Sequence, residues 1–170
     1  NGVLDVSGGG IVLAGLVVGN RYYVNTTGGS NANDGLTWAK AKLTITGALA
    51  VAVAKDIIYV APGSYDEEVS VARAKSNLTI VGAGNRGSVF IAPSGSNKTA
   101  LTIEPDDFTL INVGCEGDGT GGGIVNRGKR TRIFASKIEG GTIALTMTLG
   151  TAAQIAALTH GKGDDAWIVD

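Results

Sequence analysis

The sequence predicts an all-β fold, a β-solenoid built from short strands that stack in successive turns, and three observations support this prediction. Glycine supplies 27 of the 170 residues, roughly twice its usual share of about 7%. Valine, isoleucine and threonine number 16, 14 and 16, an excess typical of strands separated by tight turns. The strand pattern also repeats along the chain, as it does in proteins whose stacked turns share one core.

The repeat is clearest where residues 100–117 are laid on residues 123–140. Apolar positions coincide in this alignment: Leu101 with Ile124, Leu110 with Ile133, Ile111 with Phe134, and Cys115 with Ile138. Stacking joins the apolar side chains of such turns into one core, which a single turn is too small to form. Because Cys115 falls on an apolar position, we expect a buried thiol there rather than a nucleophile.

The same alignment brings opposite charges together just after the first aligned strand. The pairs are Glu104 with Arg127, Asp106 with Lys129, and Asp107 with Arg130. Exposed pairs of this kind contribute roughly 0.2–1 kcal/mol each, so they fix the strand register more than the stability. We therefore predict a structural charge ladder between neighbouring rungs. The alternative is a catalytic site, which needs acids free to serve as general acid and base.

The N-terminal part of the chain divides into an uncertain segment, a strand and a loop. Residues 1–20 are rich in glycine and apolar side chains without a clear period, and we expect an arm or an extra strand. Residues 21–170 form the predicted solenoid domain. Its first strand is expected over residues 21–26, which are aromatic and β-branched. Residues 27–35 carry the glycine, asparagine and aspartate of a loop.

A helix is predicted over residues 44–54, where alanine dominates a segment that is apolar nearly all round. Thr44 or Thr46 would cap its N-terminus. Because an apolar helix must be covered, we expect it to close the N-terminal end of the solenoid. Segments with short strands and turn residues follow at 56–67, 68–72, 77–84, 88–93, 100–105 and 107–113.

The C-terminal part predicts a short inserted helix and an open end. Residues 164–170 resemble residues 106–112 and are expected to begin another unit, which leaves about 12 surplus residues before them. The surplus falls on residues 151–161, whose apolar spacing predicts a short helix near 151–160. Since an exposed strand edge invites aggregation, we expect the end near Asp170 to be covered by further chain or by another subunit.

The segment from Tyr22 to Glu67 combines several recognisable pieces. They are a YYV strand at residues 22–24, an NDG loop at 33–35 followed by Trp38, a helix start at Thr44–Ile45, and a PGSY turn at 62–65. With these pieces the chain resembles the right-handed parallel β-helix proteins of the pectate-lyase-like superfamily, over about residues 21–140. The resemblance implies a right-handed parallel β-helix of about three to four rungs. It does not imply one chemistry, because members include polysaccharide lyases and hydrolases, phage tailspikes and fibres, and purely structural rungs.

Charge and composition exclude several classes of protein. The net charge is −1 and the basic residues are not gathered in one stripe, which disfavours a nucleic-acid surface. One cysteine and one histidine leave no disulfide framework and few metal designs. The longest apolar run, residues 11–18, is far short of the roughly 20 residues of a membrane helix.

Calcium sites are the remaining alternative for the acidic residues. Asp66, Glu67 and Glu68 are consecutive and could hold calcium, although such a run is more often a solvated turn. Asp34 and Asp118 lie in glycine-rich stretches that lack the spacing of known calcium loops. We therefore expect structural turns at all five positions, with no metal, cofactor or catalytic group.

Three functional classes remain open. The first is a non-catalytic structural or adhesive component of a large extracellular assembly, specifically a phage virion protein such as a tail fibre, spike or capsid decoration. The alternative is the N-terminal part of a polysaccharide lyase or glycoside hydrolase of the superfamily, and a second alternative is a bacterial surface adhesin. We expect an extracellular or virion location. We also expect a homo-oligomer, with a trimer favoured, that contacts other virion or surface proteins. A cell-surface polysaccharide could stack on Trp167.

Overall fold

The computed structural model describes residues 19–85, 87–140, 145–147, 153–156 and 159–160. They form fifteen short strands in three parallel sheets, one α-helix, α1 (Ile45–Val51), and one 3₁₀ turn (Trp38–Lys40). Among these residues no helix is long and apolar enough to cross a membrane. The predicted arm over residues 1–20 lies outside the described part of the chain, apart from its last two residues.

Each sheet collects strands that recur along the chain. The six-stranded sheet contains β1 (Arg21–Val24), β2 (Ile57–Val60), β5 (Thr79–Gly82), β8 (Thr109–Ile111), β11 (Thr131–Phe134) and β14 (Ala153–Ala156). The five-stranded sheet contains β3 (Gly63–Tyr65), β6 (Val89–Ile91), β9 (Gly114–Glu116), β12 (Lys137–Glu139) and β15 (Thr159–His160). The four-stranded sheet contains β4 (Val69–Val71), β7 (Leu101–Ile103), β10 (Ile124–Asn126) and β13 (Leu145–Met147).

From β2 onward the chain visits the six-, five- and four-stranded sheets in a fixed order, so each turn adds one strand to every sheet. This arrangement is a parallel β-helix, as predicted. The described residues contain four complete turns, which run from β2 to β13. The predicted number of rungs is therefore confirmed for this part of the chain.

The core consists of side chains that stack in columns along the helix axis. Ile58, Ile80, Leu110 and Ile133 are fully buried and occupy equivalent positions in four successive turns. Burial of one such side chain contributes about 1.5–3 kcal/mol. The predicted register is confirmed, because Leu101 pairs with Ile124 and Cys115 pairs with Ile138.

Helix α1 closes the N-terminal end of this core, as expected, although it is shorter than the predicted 44–54. Thr44 is the N-cap, and its side chain accepts a hydrogen bond from the Gly47 N–H. The helix ends at Val51. Just after it, the Val53 N–H donates a hydrogen bond to Asp56 Oδ2 at 2.7 Å, which holds the following residues in a turn. One face, with Ile45 among its residues, is buried, whereas Val51 is 42% exposed. The helix is thus covered on one side only.

The predicted helix near 151–160 is wrong. Residues 153–156 form strand β14, which pairs with β11, and residues 159–160 form strand β15, which pairs with β12. The apolar spacing over four residues fits either structure. Alanine and glutamine favour a helix, but pairing with the preceding turn overrides this local propensity. These residues belong to the next turn, so they are not a surplus insertion.

Candidate functional site

Charged side chains line the edge where the strands of the four-stranded sheet end. Glu104 directly follows β7 and Arg127 directly follows β10, so the parallel register places them side by side. Arg127 Nη1 lies 2.7 Å from Glu104 Oε1. Arg73, which follows β4, places its Nη2 3.6 Å from Glu104 Oε2 on the other side. Glu104 therefore lies between two guanidinium groups, in a column that alternates in charge over three turns.

Sequence reasoning found the Glu104–Arg127 pair but missed Arg73. The offset from Arg73 to Glu104 exceeds the offset from Glu104 to Arg127, because the connections in the earlier turn are longer, above all the one between β5 and β6. Arg73 could have been placed from the pairing of β4 with β7. Val71 pairs with Ile103, and the charged residues Arg73 and Glu104 follow these two positions.

A second charged column lies in the turns that lead into the six-stranded sheet. Arg130 binds Asp107 through two hydrogen bonds of 2.7 Å, Nε to Oδ1 and Nη2 to Oδ2. Hydrogen bonding to Arg130 lowers the pKa of Asp107, and Asp107 in turn raises the pKa of Arg130. Both residues have left-handed backbone, with φ of 58° and 56°. The matched bends aim the two side chains in the same direction.

The contact of Asp106 with Lys129 differs from the predicted ion pair. The main-chain N–H of Lys129 donates to Asp106 Oδ1 at 2.9 Å. The reason is the main-chain ladder between the turns, in which the Asp107 N–H donates to the Lys129 carbonyl and brings the two backbones together. The nearest cation to Asp106 is Arg130, whose Nη2 lies 3.8 Å from Asp106 Oδ2.

The three consecutive acids after β3 turn away from one another. The Asp66 carboxylate accepts hydrogen bonds from the main chain and the hydroxyl of Ser94, which lower its pKa. The Glu68 carboxylate lies 2.7 Å from the ammonium of Lys98, whose hydrogen bond lowers the pKa of Glu68. Glu67 instead binds the first turn of α1. The described residues contain no group of three acidic, histidine or cysteine side chains that could hold a metal ion.

Between the two charged borders, the outer surface of the four-stranded sheet carries small side chains. Ser70, Thr102 and Val125 point outward from β4, β7 and β10 and occupy equivalent positions. We call this surface, with Glu68 and Lys98 before the strands and Arg73, Glu104 and Arg127 after them, the four-stranded face. Its floor offers hydroxyl groups, and its borders offer exposed cations next to acids.

The outer surface of the five-stranded sheet has a different character. The Phe90 ring lies across Gly114, where a Cβ atom would come within 2.5 Å of the ring. Lys137 Nζ lies 5.7 Å from the centre of that ring and 2.7 Å from Glu139 Oε1. Cys115 points the other way, into the core, and burial raises the pKa of its thiol. Burial of this kind makes a thiol unreactive.

The chain contains two tryptophans, Trp38 and Trp167. Trp167 lies outside the described residues, so its predicted contact with a sugar stays a prediction. Trp38 is 45% exposed, and its ring packs on Tyr23 with the centroids 4.7 Å apart.

Solved structures share this arrangement of sheets. A pectin methylesterase from Aspergillus niger superposes with a TM-score of 0.65 at 19% sequence identity, over 83% of this chain and 50% of its own. A pectin methylesterase from carrot gives a TM-score of 0.64 at 15% identity, over 85% of this chain and 48% of its own. A pectate lyase gives 0.68 at 16% identity, over 83% and 39%. The chain has the right-handed parallel β-helix fold of these proteins.

This β-helix spans half or less of the length of each of those enzymes. At such low identity the likeness concerns the fold alone, because one fold supports many functions. No protein-family model matches the chain, and neither does any curated protein.

The chemistry open to the described site follows from how its charges are engaged. General acid–base cleavage of a glycosidic bond uses a pair of carboxyl groups that are free to exchange protons. On the four-stranded face Glu104 and Glu68 are both bound to cations. Arginine and lysine at the borders can still bind a carboxylate, and the floor hydroxyls can bind sugar hydroxyls. These cations and hydroxyl groups are what the described part of the surface presents to a ligand.

Proposed function

We propose that the chain forms part of a carbohydrate-active β-helix protein and binds an acidic polysaccharide along its four-stranded face. The observation that carries the proposal is the floor of Ser70, Thr102 and Val125 between two charged borders. The likeness in fold to pectin methylesterases and a pectate lyase supports the choice of ligand class.

The geometry of the borders favours an anionic ligand. Arg73 and Arg127 share one acid, Glu104, so this border carries one excess positive charge. The side chains of these arginines are 75% and 52% exposed, which leaves guanidinium N–H groups available to a ligand. Guanidinium groups bind carboxylates through two parallel hydrogen bonds, and such charge-assisted bonds are about twice as strong as neutral ones. A uronate polymer presents a carboxylate on each sugar.

The test is a nuclear magnetic resonance titration of the chain with a short oligogalacturonate. We expect the amide resonances of Ser70, Thr102 and Val125 to shift. In the variant Thr102→Glu, a carboxylate in the middle of the floor should weaken this binding at least tenfold. Ser64→Glu is the matched control, since Ser64 is exposed on the five-stranded sheet. A wild-type chain whose four-stranded face shows no shift would overturn the proposal, as would Thr102→Glu binding as the wild type does.

Catalysis is measured in parallel on the same protein. Release of methanol from methyl-esterified pectin reports esterase chemistry, and unsaturated or reducing ends report lyase or hydrolase chemistry. Because the acids of the described face are engaged by bases, Glu104→Gln should leave the kcat of any such activity within about threefold of the wild type and change KM only, provided that the variant is folded. A much larger loss in a folded variant would assign Glu104 a part in the reaction.

A structural role in a large extracellular assembly is the second candidate. The observation in its favour is that the acids of the ladder are engaged by bases of neighbouring turns, as in a rigid stalk. The enzymes named above give no support to the virion role, and it stays a prediction, together with the homo-oligomer and the extracellular location. Light scattering of the native particle tests it, because a large symmetric assembly is expected and a monomer would exclude it.

A further inference from the structure

The outer surface of the six-stranded sheet carries an apolar column that runs along five strands. Its members are partly exposed and occupy one equivalent position from β1 to β11: Tyr23, Tyr59, Val81, Ile111 and Phe134. Their neighbours Ile58, Leu110 and Ile133 point the opposite way into the core. Monomeric proteins rarely leave a continuous apolar strip exposed unless it contacts something.

Aromatic rings are concentrated at the first end of this column. Tyr23 and Tyr59 are stacked, with centroids 5.7 Å apart and planes 18° apart. Trp38 also packs on Tyr23, with the ring centroids 4.7 Å apart, and is 45% exposed. Three rings therefore lie together at this end of the column, which continues with aliphatic side chains and Phe134.

The second outward column of the same sheet is polar except at Ile57, and its charged members are all positive. Arg21 stands at one end and Arg132 at the other, with Ile57, Thr79 and Thr109 between them. No outward position of β1, β2, β5, β8 or β11 carries an acid. Four inter-strand steps separate the two arginines, which is about 19 Å at about 4.8 Å per step.

The border of this surface does not neutralise the arginines. Lys55, Asp107 and Arg130 occupy the left-handed positions that precede β2, β8 and β11. Arg130 binds Asp107 through two hydrogen bonds and also lies near Asp106. The positive charge of Arg132 also helps to lower the pKa of Asp107. The four cations on this side, Lys55, Lys129, Arg130 and Arg132, outnumber its three acids, Asp56, Asp106 and Asp107, so this side of the surface keeps an excess positive charge.

We propose that this surface, which we call the aromatic–arginine face, is a second binding surface for an anionic polysaccharide, separate from the four-stranded face. The proposal takes its ligand class from the proposed function and otherwise rests on its own residues. The apolar column suits the C–H faces of sugar rings, and the arginines suit carboxylates. A linear polymer matches a straight column that extends over five strands.

A second copy of the chain fits this face less well. Two copies related by a two-fold axis would meet through the same residues. Arginines would then approach arginines with no acid on the outward positions of these strands to pair with, and like charges across an interface are costly. Charge complementarity therefore favours a polyanion.

The test uses the fluorescence of Trp38 in the full chain carrying Trp167→Phe, so that one indole reports. We expect a long oligogalacturonate to change the Trp38 emission, with an affinity that falls as salt is added. Thr109→Glu places a carboxylate next to Arg132, because Thr109 and Arg132 are paired across the strands. This variant should weaken the fluorescence-detected binding about tenfold, whereas Ser64→Glu should leave it unchanged.

The two binding surfaces are separated by comparing Thr109→Glu with Thr102→Glu. If Thr102→Glu alone abolishes binding and the Trp38 emission never responds, the proposed function stands and the aromatic–arginine face is refuted. If Thr109→Glu alone abolishes binding, the aromatic–arginine face stands and the proposed four-stranded site is refuted. Sedimentation of both variants is the last control, since an oligomer that Thr109→Glu dissociates would make the occupant a second copy and overturn the proposal.

Discussion

At the scale of single residues, the bend between the six- and five-stranded sheets combines strain with an unused acceptor. Asn112 and Ala135 occupy equivalent positions in successive turns and have φ of 56° and 51°. Asn112 Nδ2 donates to the carbonyls of Gly82 and Gly84 in the previous turn. Its Oδ1 atom is buried and accepts no hydrogen bond from the described residues. Alanine pays about 1–2 kcal/mol for left-handed backbone, which asparagine tolerates better.

Ala135→Asn should therefore stabilise the protein by about 0.5–1.5 kcal/mol. The new amide can donate toward Asn112 as Asn112 donates to the turn before it, and the backbone strain is reduced. Urea unfolding measures the gain. Ala135→Gly is the control, because it relieves the backbone alone. Equal stability of Ala135→Asn and the wild type would show that the Asn112 oxygen is not available to a neighbour.

Glu104→Arg should destabilise the protein by about 1 kcal/mol, since three cations would then follow one another along the edge of the four-stranded sheet. Adding Arg127→Glu should recover part of the loss, because one pair is restored while Arg73 still faces a cation. The free energies of unfolding of both single variants and the double variant measure this coupling. Independent addition of the two changes would contradict the register.

At the scale of elements, helix α1 is fixed at both ends by charged side chains from the first turn of the solenoid. The Glu67 carboxylate accepts hydrogen bonds from the Ile45 N–H at 2.7 Å and the Thr46 N–H at 2.9 Å. At the other end, Lys75 Nζ donates to the Ala52 carbonyl. A negative group at the N-terminus and a positive group at the C-terminus both suit the helix dipole. A helix of seven residues depends on such contacts, because it is too short to be stable alone.

Glu67→Gln should cost about 1–2 kcal/mol of unfolding free energy, since a neutral amide can accept one of the two N–H groups and loses the charge. The amides of Ile45 and Thr46 should also exchange faster with deuterium. Glu116→Gln is the matched control, because Glu116 is exposed at the end of β9. Equal stability of the two variants would mean that α1 is held by its apolar face alone.

The strands were predictable from the sequence wherever one turn repeats the apolar pattern of the turn before it. The register of β7 to β12 was predictable from apolar positions that recur at a constant spacing. The same register predicted the Glu104–Arg127 pair. The strands β14 and β15 were not predictable, because Ala153–Ala156 carries little pattern of its own and the pairing with β11 cannot be inferred from four such residues. The partner of Glu67 was not predictable either, since nothing near Glu67 in sequence shows that it binds the start of helix α1.

At the scale of the whole molecule, acid should weaken the contacts between turns. The pKa values of Asp66, Glu68 and Asp107 are lowered by Ser94, Lys98 and Arg130 respectively. A carboxyl group with a lowered pKa stabilises the fold above its unfolded pKa and loses that contribution as the pH falls through its folded pKa. The unfolded values are about 3.9 for aspartate and 4.3 for glutamate.

The contribution of these three carboxyl groups to stability should therefore be constant from pH 7 to about pH 5 and fall below about pH 4. Urea unfolding at a series of pH values measures this dependence. The triple variant Asp66→Asn, Glu68→Gln, Asp107→Asn should be less stable at pH 7 and should lose less on acidification. An identical acid slope in both proteins would show that other groups set the limit.

The candidate surfaces were less predictable than the fold, for a physical reason. The fold follows from a repeat that one sequence displays, whereas a surface depends on which outward residues of distant turns become neighbours. The aromatic–arginine face joins Tyr23 to Phe134, which are far apart in sequence, through turns of unequal length. Periodicity alone does not align the first two turns, so Arg73 and Tyr59 could not be assigned to their columns.

The alternation of charge along the edge of the four-stranded sheet also bears on how the solenoid could have lengthened by duplication of its turns. Arg73, Glu104 and Arg127 alternate in sign from one turn to the next. Duplication of a single turn would set two identical charges against each other, while duplication of two consecutive turns would preserve the alternation. The alternating charges therefore favour duplication of turns in pairs over duplication of single turns. They favour relatives whose lengths differ by even numbers of turns.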